Sequence, residues 1–465
     1  MSSAFFYPAR PHDRALTAAG QIERLTRAAL RHLRSGRLEL AAALPARGPA
    51  RGAAEATGEW PIALAEALPN GAPILYLPAV AWSYRFQRPQ HLALALARAG
   101  HPILYVDGFL RSRLLPARHI LHTQGGLNVL RLRVPGRPDP YREPLDRRTA
   151  ARLTGTILAG LRHERPLMVL VQLPFWAELG RELARRLGCP LVYDRIDLHV
   201  GFPGVPAGIE AVEARLIREA DLVCATGGLL AERPREVSPQ VLMLPNGVDL
   251  AAFPVPAACP ASASAAGRPA TIGYVGALGP WFDVEAVAAA SRAFPGWRFR
   301  LAGKVEDPEV AALAGLPNLE TVGEIPFADV AGFLSGLDVA LVPFRDLPLT
   351  RAVDPVKLYE ALAMGLPVVA RRLPETERWA EPLVYLYDGP DDFVRQIRRA
   401  VAERCPEAAG ERRRVAEGES WDRRAEALLR AVGTLEREKE PEKHTDLHGR
   451  ARTYKDGGPG SCKPV

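Results

Sequence analysis

Between residues 354 and 368 the chain reads Asp-Pro-Val-Lys-Leu-Tyr-Glu-Ala-Leu-Ala-Met-Gly-Leu-Pro-Val, and this order of residue types carries chemistry. Asp354 and Pro355 suit an N-cap and first turn. Leu358, Ala361 and Leu362 share one helical side, and Gly365 with Pro367 closes the helix before an apolar run. The free amides of Val356, Lys357 and Leu358, with the helix dipole, form an anion site to which Lys357 adds a full charge. Phosphate is the natural occupant. One turn further in, Glu360 places a carboxylate where it can accept both hydroxyls of a ribose. Without such a ligand the same segment is an ordinary capped surface helix.

Two further clusters sit where strands should end. Trp82, Tyr84, Arg85, Gln87, Arg88 and Gln90 crowd a loop ahead of the helix that Pro89 opens. Rings, amides and guanidinium groups of this kind suit sugar faces, hydroxyls and phosphates, and they also pack well as structure. Asp197 and His199 follow the apolar run 191–194 as a carboxylate and an imidazole, a pairing equally at home in a turn.

Lysine usage adds a clue. The 60 basic residues comprise 54 Arg and 6 Lys, and four of the lysines lie in the last 27 residues, leaving Lys304 and Lys357 in all the rest. Arginine replaces lysine on solvated surfaces at little cost, so the two survivors mark places where a compact point charge is wanted.

The elements that must position these groups alternate. From residue 72 short apolar runs (73–78, 103–107, 127–133, 167–172, 191–194, 222–225, 241–244) alternate with helical stretches. After 269 a second series follows (271–275, 298–302, 319–322, 339–342, 368–370, 383–386). Continuous apolar strands between helices predict parallel sheets covered on both faces, hence an α/β protein of two Rossmann-like, doubly wound domains facing across a cleft. Ligands in such sheets lie beyond the carboxyl ends of the strands. The predicted organisation is a basic, partly helical extension over 1–70 without strands, domains over 71–250 and 270–415, a Pro/Ala/Ser linker over 251–269, a closing helix over 416–438, and a disordered tail over 439–465.

Composition excludes other classes. At 465 residues, 48% hydrophobic and 24% charged, the chain is globular. Its net charge of +7 is dispersed rather than blocked, which argues against a nucleic-acid partner. Five cysteines without a C-x-x-C pair suggest neither a disulfide framework nor zinc, and fit a cytoplasmic setting. The Arg-rich helical pattern over 15–44 could touch an anionic membrane surface peripherally.

The segment 354–369 resembles the nucleotide-sugar motif of retaining GT-B glycosyltransferases of family four (glycosyltransferase group 1). Ile272-Gly-Tyr-Val-Gly-Ala-Leu-Gly-Pro-Trp-Phe-Asp looks like that family's opening strand and glycine loop, Asp338-Val-Ala-Leu-Val-Pro-Phe like the strand before the donor helix, and Leu244-Pro-Asn-Gly-Val-Asp like the end of its first domain. Trp82-Ser-Tyr-Arg-Phe-Gln-Arg-Pro-Gln-His and Tyr193-Asp-Arg-Ile-Asp resemble the teichuronic-acid branch. The resemblance spans roughly residues 72 to 435. It implies transfer of a hexosyl group from a nucleotide-diphosphate sugar to a polysaccharide or lipid-linked acceptor, with retention and with no metal or other cofactor.

Carried over, it assigns the donor to Gly276, Gly279, Lys304, Asp354, Val356, Lys357, Leu358 and Glu360, while the strand-end position of Trp82, Tyr84, Arg85, Gln87 and Arg88 suits contacts to the acceptor or to the donor phosphates. Asp197, His199 and Glu360 take the catalytic places, with Asp197 and His199 orienting the acceptor or stabilising an oxocarbenium ion. The sequence departs from the family where an acidic residue usually stands eight positions before Glu360: here that position is Ala352, with Asp354 the nearest carboxylate. Nucleotide-sugar 2-epimerases share the architecture and donor site, and a catalytically lapsed nucleotide-sugar-binding subunit is the non-enzyme alternative.

Overall fold

The computed structural model describes residues 56–59, 71–107, 120–124, 127–132, 141–161, 165–254 and 268–439, apart from positions 203, 239, 380, 382, 404 and 405. The extension's helical pattern over 15–44, most of the linker and nearly all of the tail lie outside the described residues.

Two sheets carry the fold. The first has the strands β1 (Ala56–Glu59), β2 (Ile74–Leu77), β3 (Ile103–Asp107), β4 (Ile120–Gln124), β5 (Leu127–Arg131), β6 (Met168–Val171), β7 (Leu191–Arg195), β8 (Leu222–Ala225) and β9 (Val241–Met243). Their order is β1-β4-β5-β3-β2-β6-β7-β8-β9. The seven strands from β5 to β9 run parallel, and β4 and β1 continue the edge antiparallel. The second sheet has β10 (Thr271–Val275), β11 (Arg298–Ala302), β12 (Leu319–Gly323), β13 (Val339–Val342), β14 (Val368–Arg371) and β15 (Val384–Tyr387). All six are parallel in the order β12-β11-β10-β13-β14-β15, the doubly wound arrangement of dinucleotide-binding sheets. Every residue of β2, β3, β6, β7, β8 and β13 is buried, as expected of strands covered by helices on both faces.

Local chemistry starts and stops the helices. Asp146 accepts from the Thr149 amide at 2.8 Å and caps the Arg147–Gly160 helix, whereas Gly188, at φ 62°, ends Ala177–Leu187 in the left-handed region. The final helix, Trp421–Lys439, packs on Arg88–Arg98 and places Trp421, Leu428 and Val432 in the core of the first domain. It starts where the Val248 amide donates to Glu419 O and the Trp421 amide to Val248 O. Among the described residues no helix is long and apolar enough to cross a membrane.

One expectation is corrected. The first 70 residues do contain a strand, Ala56–Glu59, paired antiparallel with Ile120–Gln124. Four residues are too few to show alternation, and their pairing is supplied by a partner some 60 positions away.

Candidate functional site

The loops that leave the carboxyl ends of both sheets line one cleft. The first domain supplies residues after β2 (Arg85, Gln87, Arg88), after β7 (Ile196, Asp197, Phe202) and after β9 (Asn246). The second domain supplies Gly276 and Ala277 after β10, Phe344 after β13, and the start of the helix Val356–Ala363.

That helix begins without a side-chain cap, because its N-cap residue is Pro355. The amides of Val356 and Lys357 have no partner among the described residues, whereas the Leu358 amide, expected to bind anion, donates to Pro355 O at 3.0 Å. Lys357 projects its ammonium over the Phe344 ring at 4.8 Å and the Tyr274 ring at 5.2 Å. Its stem runs against Gly276, where φ is 145° and a Cβ would stand 2.8 Å from Lys357 Cε. Burial pushes the Lys357 pKa down to about 8 against the opposing pull of Glu360 and Asp197.

Two carboxylates face this ammonium. Glu360 and Asp197 each have their pKa pushed up to about 7 by burial; Lys357 opposes the shift at Glu360, and Arg88 and Lys357 oppose it at Asp197. Neither carboxylate has a hydrogen-bond partner among the described residues. The cleft therefore combines an uncapped helix start, the Lys357 ammonium and two carboxylates titrating near neutrality, an arrangement able to hold a polyanion beside a polyol.

Asp354 plays a different part from the one expected. It does not cap the helix. Its buried carboxylate accepts from the Asn246 amide at 2.6 Å and from the Tyr359 hydroxyl at 2.7 and 2.9 Å, with the Arg378 Nη2 at 3.4 Å. Arg378 also donates to Tyr359 Oη. Asn246 Nδ2 donates to the Asp354 carbonyl at 2.6 Å, its Oδ1 accepts from Arg88, and its carbonyl accepts from Arg424. First domain, second domain and closing helix thus meet at one asparagine, directly before the helix start.

Arg88 lines the cleft, but all five of its N–H groups are used within the protein. It forms a two-pronged pair with Asp194 at 2.7 and 3.0 Å and donates to Leu244 O, Pro245 O and Asn246 Oδ1. Arg85 reaches across to Glu306 at 3.0 Å and Glu324 at 2.5 Å on the second domain. Gln87 sits at the N-cap of the Arg88–Arg98 helix, with its amide donating to Gln90 Oε1 at 3.0 Å. Trp82 and Tyr84 are not cleft-lining residues: Trp82 packs edge-on against Phe86 and Tyr105, and Tyr84 lies beneath the Arg85 guanidinium. The structure thus brings Arg85, Gln87 and Arg88 to the cleft from this motif.

Three more expected residues stand off the cleft. His199 is buried behind it among Arg195 and Glu213, and burial pushes its pKa down to about 4; a group held neutral there is part of the packing behind Asp197. Lys304 lies beyond β11 with its side chain 50% exposed, 3.7 Å from Glu306. Its backbone is close to the glycine loop: Leu278 N donates to Lys304 O, and a Cβ on the preceding Gly303 would lie 1.8 Å from Gly276 O. Gly279 leaves room for the Trp281 indole, which a Cβ would meet at 2.5 Å, and it is Trp281 that lines the cleft.

Sequence reasoning gave no function to Asn246, Tyr359, Arg378 or Trp281. For Asn246 the signal was present in the Pro-Asn-Gly-Val-Asp run, but an asparagine in a turn motif does not announce that all its polar groups will be spent on three separate segments. The vacancy at position 352 also has a structural reason. Ala352 is buried against Ala225, Leu230 and Ala231 of the first domain, on a side turned away from the cleft.

Residues 269–403 match the family described as Glycosyl transferases group 1. A curated Bacillus subtilis protein named as a teichuronic acid biosynthesis glycosyltransferase, TuaH, is 28% identical over 237 residues, covering 48% of this chain and 60% of that protein. Among solved structures, a sucrose-phosphate synthase from Thermosynechococcus elongatus is similar with a TM-score of 0.60 at 17% identity, covering 79% of this chain and 100% of that one. The Anabaena protein HepE, in complex with UDP and glucose, has a TM-score of 0.55 at 15% identity, covering 78% and 100%.

Proposed function

We propose that this chain is a group 1 glycosyltransferase of GT-B architecture that transfers a hexosyl group from a nucleoside-diphosphate donor to a saccharide or lipid-linked acceptor of cell-surface polysaccharide synthesis, with retention at the anomeric carbon. One observation carries the reading: the uncapped start of the Val356–Ala363 helix, its lysine and the unpartnered Glu360 share a cleft with Asp197. The names of its relatives lend support, since TuaH is named for teichuronic acid synthesis and HepE for complexes with UDP, glucose and UDP-glucose.

In this reading Glu360 accepts the ribose hydroxyls and the amides of Val356 and Lys357 hold the diphosphate. As the bond from the anomeric carbon to the phosphate oxygen breaks, charge builds on the leaving diphosphate. The Lys357 ammonium and the helix start stabilise that charge in a site of low polarity. Asp197 orients the acceptor hydroxyl on the face from which the diphosphate departs. The leaving phosphate takes the acceptor's proton, so the new bond forms on the same face and no covalent nucleophile is needed. The Arg-rich segment 15–44 is the part of the chain proposed to meet an anionic membrane surface.

Glu360→Ala tests the assignment. The variant should fold normally and lose donor binding by about 100-fold, as expected for removing a charged acceptor of two hydroxyls (~3 kcal/mol). Transfer at the native rate would refute the assignment.

A further inference from the structure

Resting on the donor reading above, we propose that the glycosyl group of the donor is a 6-deoxyhexose. The order of the chain sets out the donor's parts. With the ribose at Glu360 and the diphosphate at Val356 and Lys357, the group beyond the diphosphate faces the segment that precedes the helix. That segment gives the cleft Leu349, Thr350, Val353 and Asp354, and the first domain faces it with Ile196, Asp197 and Phe202.

Four of these seven are apolar, and the polar ones are largely spent. The Thr350 hydroxyl donates to Arg345 O and accepts from the Leu347 amide at 2.9 Å. Asp354 is consumed by Asn246 and Tyr359. The position that would carry a further carboxylate, Ala352, is packed against Ala225, Leu230 and Ala231. Asp197 is left as the polar side chain open to the glycosyl ring from these two segments.

A hydroxyl that enters such a site gives up its water without finding a partner, which costs affinity, whereas a methyl group gains apolar contact. A 6-deoxyhexose places a methyl where an ordinary hexose has a hydroxymethyl. It keeps ring hydroxyls for Asp197, and it suits a wall of Ile196, Phe202, Leu349 and Val353.

Matched donors that share a base test this on the full chain: UDP-glucose with UDP-6-deoxyglucose, dTDP-glucose with dTDP-6-deoxyglucose, and GDP-mannose with GDP-rhamnose. Thermal shift identifies the accepted base, and calorimetry measures the pair. The deoxy member should bind about tenfold tighter, ~1.4 kcal/mol. Val353→Ser should narrow the preference to about twofold while leaving affinity for the free nucleoside diphosphate unchanged. Equal or tighter binding of the hydroxylated member overturns the inference and leaves the donor reading standing, as does an unchanged preference in folded Val353→Ser. If no nucleoside diphosphate or nucleotide sugar binds, the donor reading falls and the inference falls with it.

Discussion

Replacing Lys357 by arginine preserves charge and tests whether the site needs a compact ammonium. Its Nζ lies 4.8 Å from the Phe344 ring centre and 5.2 Å from that of Tyr274, and its Cε stands 2.8 Å from where a Cβ on Gly276 would be. A guanidinium is longer, planar and wider than this slot, so it must leave the rings and stand off the helix start. Each ring contact to a half-buried cation is worth ~0.5–2 kcal/mol. Losing part of both, together with the point charge on the phosphate, gives about 1.5–3 kcal/mol, or roughly 10- to 100-fold in affinity for a nucleoside diphosphate.

Lys304→Arg is the internal control. That side chain is 50% exposed beside Glu306, and an exposed pair contributes only ~0–1 kcal/mol, so affinity should change by less than about threefold. Calorimetry at pH 7.0 is the assay, since a lysine titrating near 8 is ~90% protonated there. A Lys357→Arg variant that binds within twofold of the native protein, or an equal loss in Lys304→Arg, would refute the reasoning.

Three further outcomes follow from the same geometry. Asp354→Ala orphans the Asn246 backbone N–H and the Tyr359 hydroxyl at about 1–3 kcal/mol each, so urea denaturation should show a loss of roughly 2–5 kcal/mol; combining it with Tyr359→Phe, which removes one of the orphaned donors, should cost less than the sum. Donor affinity should rise as Glu360 ionises near pH 7 and fall as Lys357 loses its proton near pH 8; Glu360→Gln should flatten the acid limb and keep the alkaline one, and an unchanged acid limb counts against Glu360 as its source. Ala352→Glu restores the absent acidic residue only on paper: the carboxylate enters a cluster of Ala225, Leu230 and Ala231, so the melting temperature should drop without a gain in turnover.

Much of the frame was legible. A strand covered on both faces is a continuous apolar run, so β2, β3, β7 and β13 advertise themselves, and their order fixes which loops end at a cleft. The helix Val356–Ala363 was also readable, because Pro, Gly and a periodic apolar side mark a helix locally. Its cap was not. Asp354 has the right type and position for an N-cap, yet it bonds instead to Asn246, 108 positions earlier, and to Tyr359. The edge strand Ala56–Glu59 was missed for a related reason, since its partner among the described residues, Ile120–Gln124, lies some 60 positions further along the chain.

The division at the site follows the range of the forces. By itself the sequence determined which residue types stand at strand ends and helix starts, and so pointed to Lys357, Glu360 and Asp197, which line one cleft. Only the tertiary structure decided which of the polar groups are free. Arg88, Asn246 and Asp354 line the same cleft but have spent their hydrogen bonds on each other and on neighbouring segments, and His199 lies behind the wall. A buried polar group takes whatever partner the fold brings nearest, because leaving it unpaired costs ~1–3 kcal/mol, and that partner is set by packing between distant segments rather than by spacing along the chain.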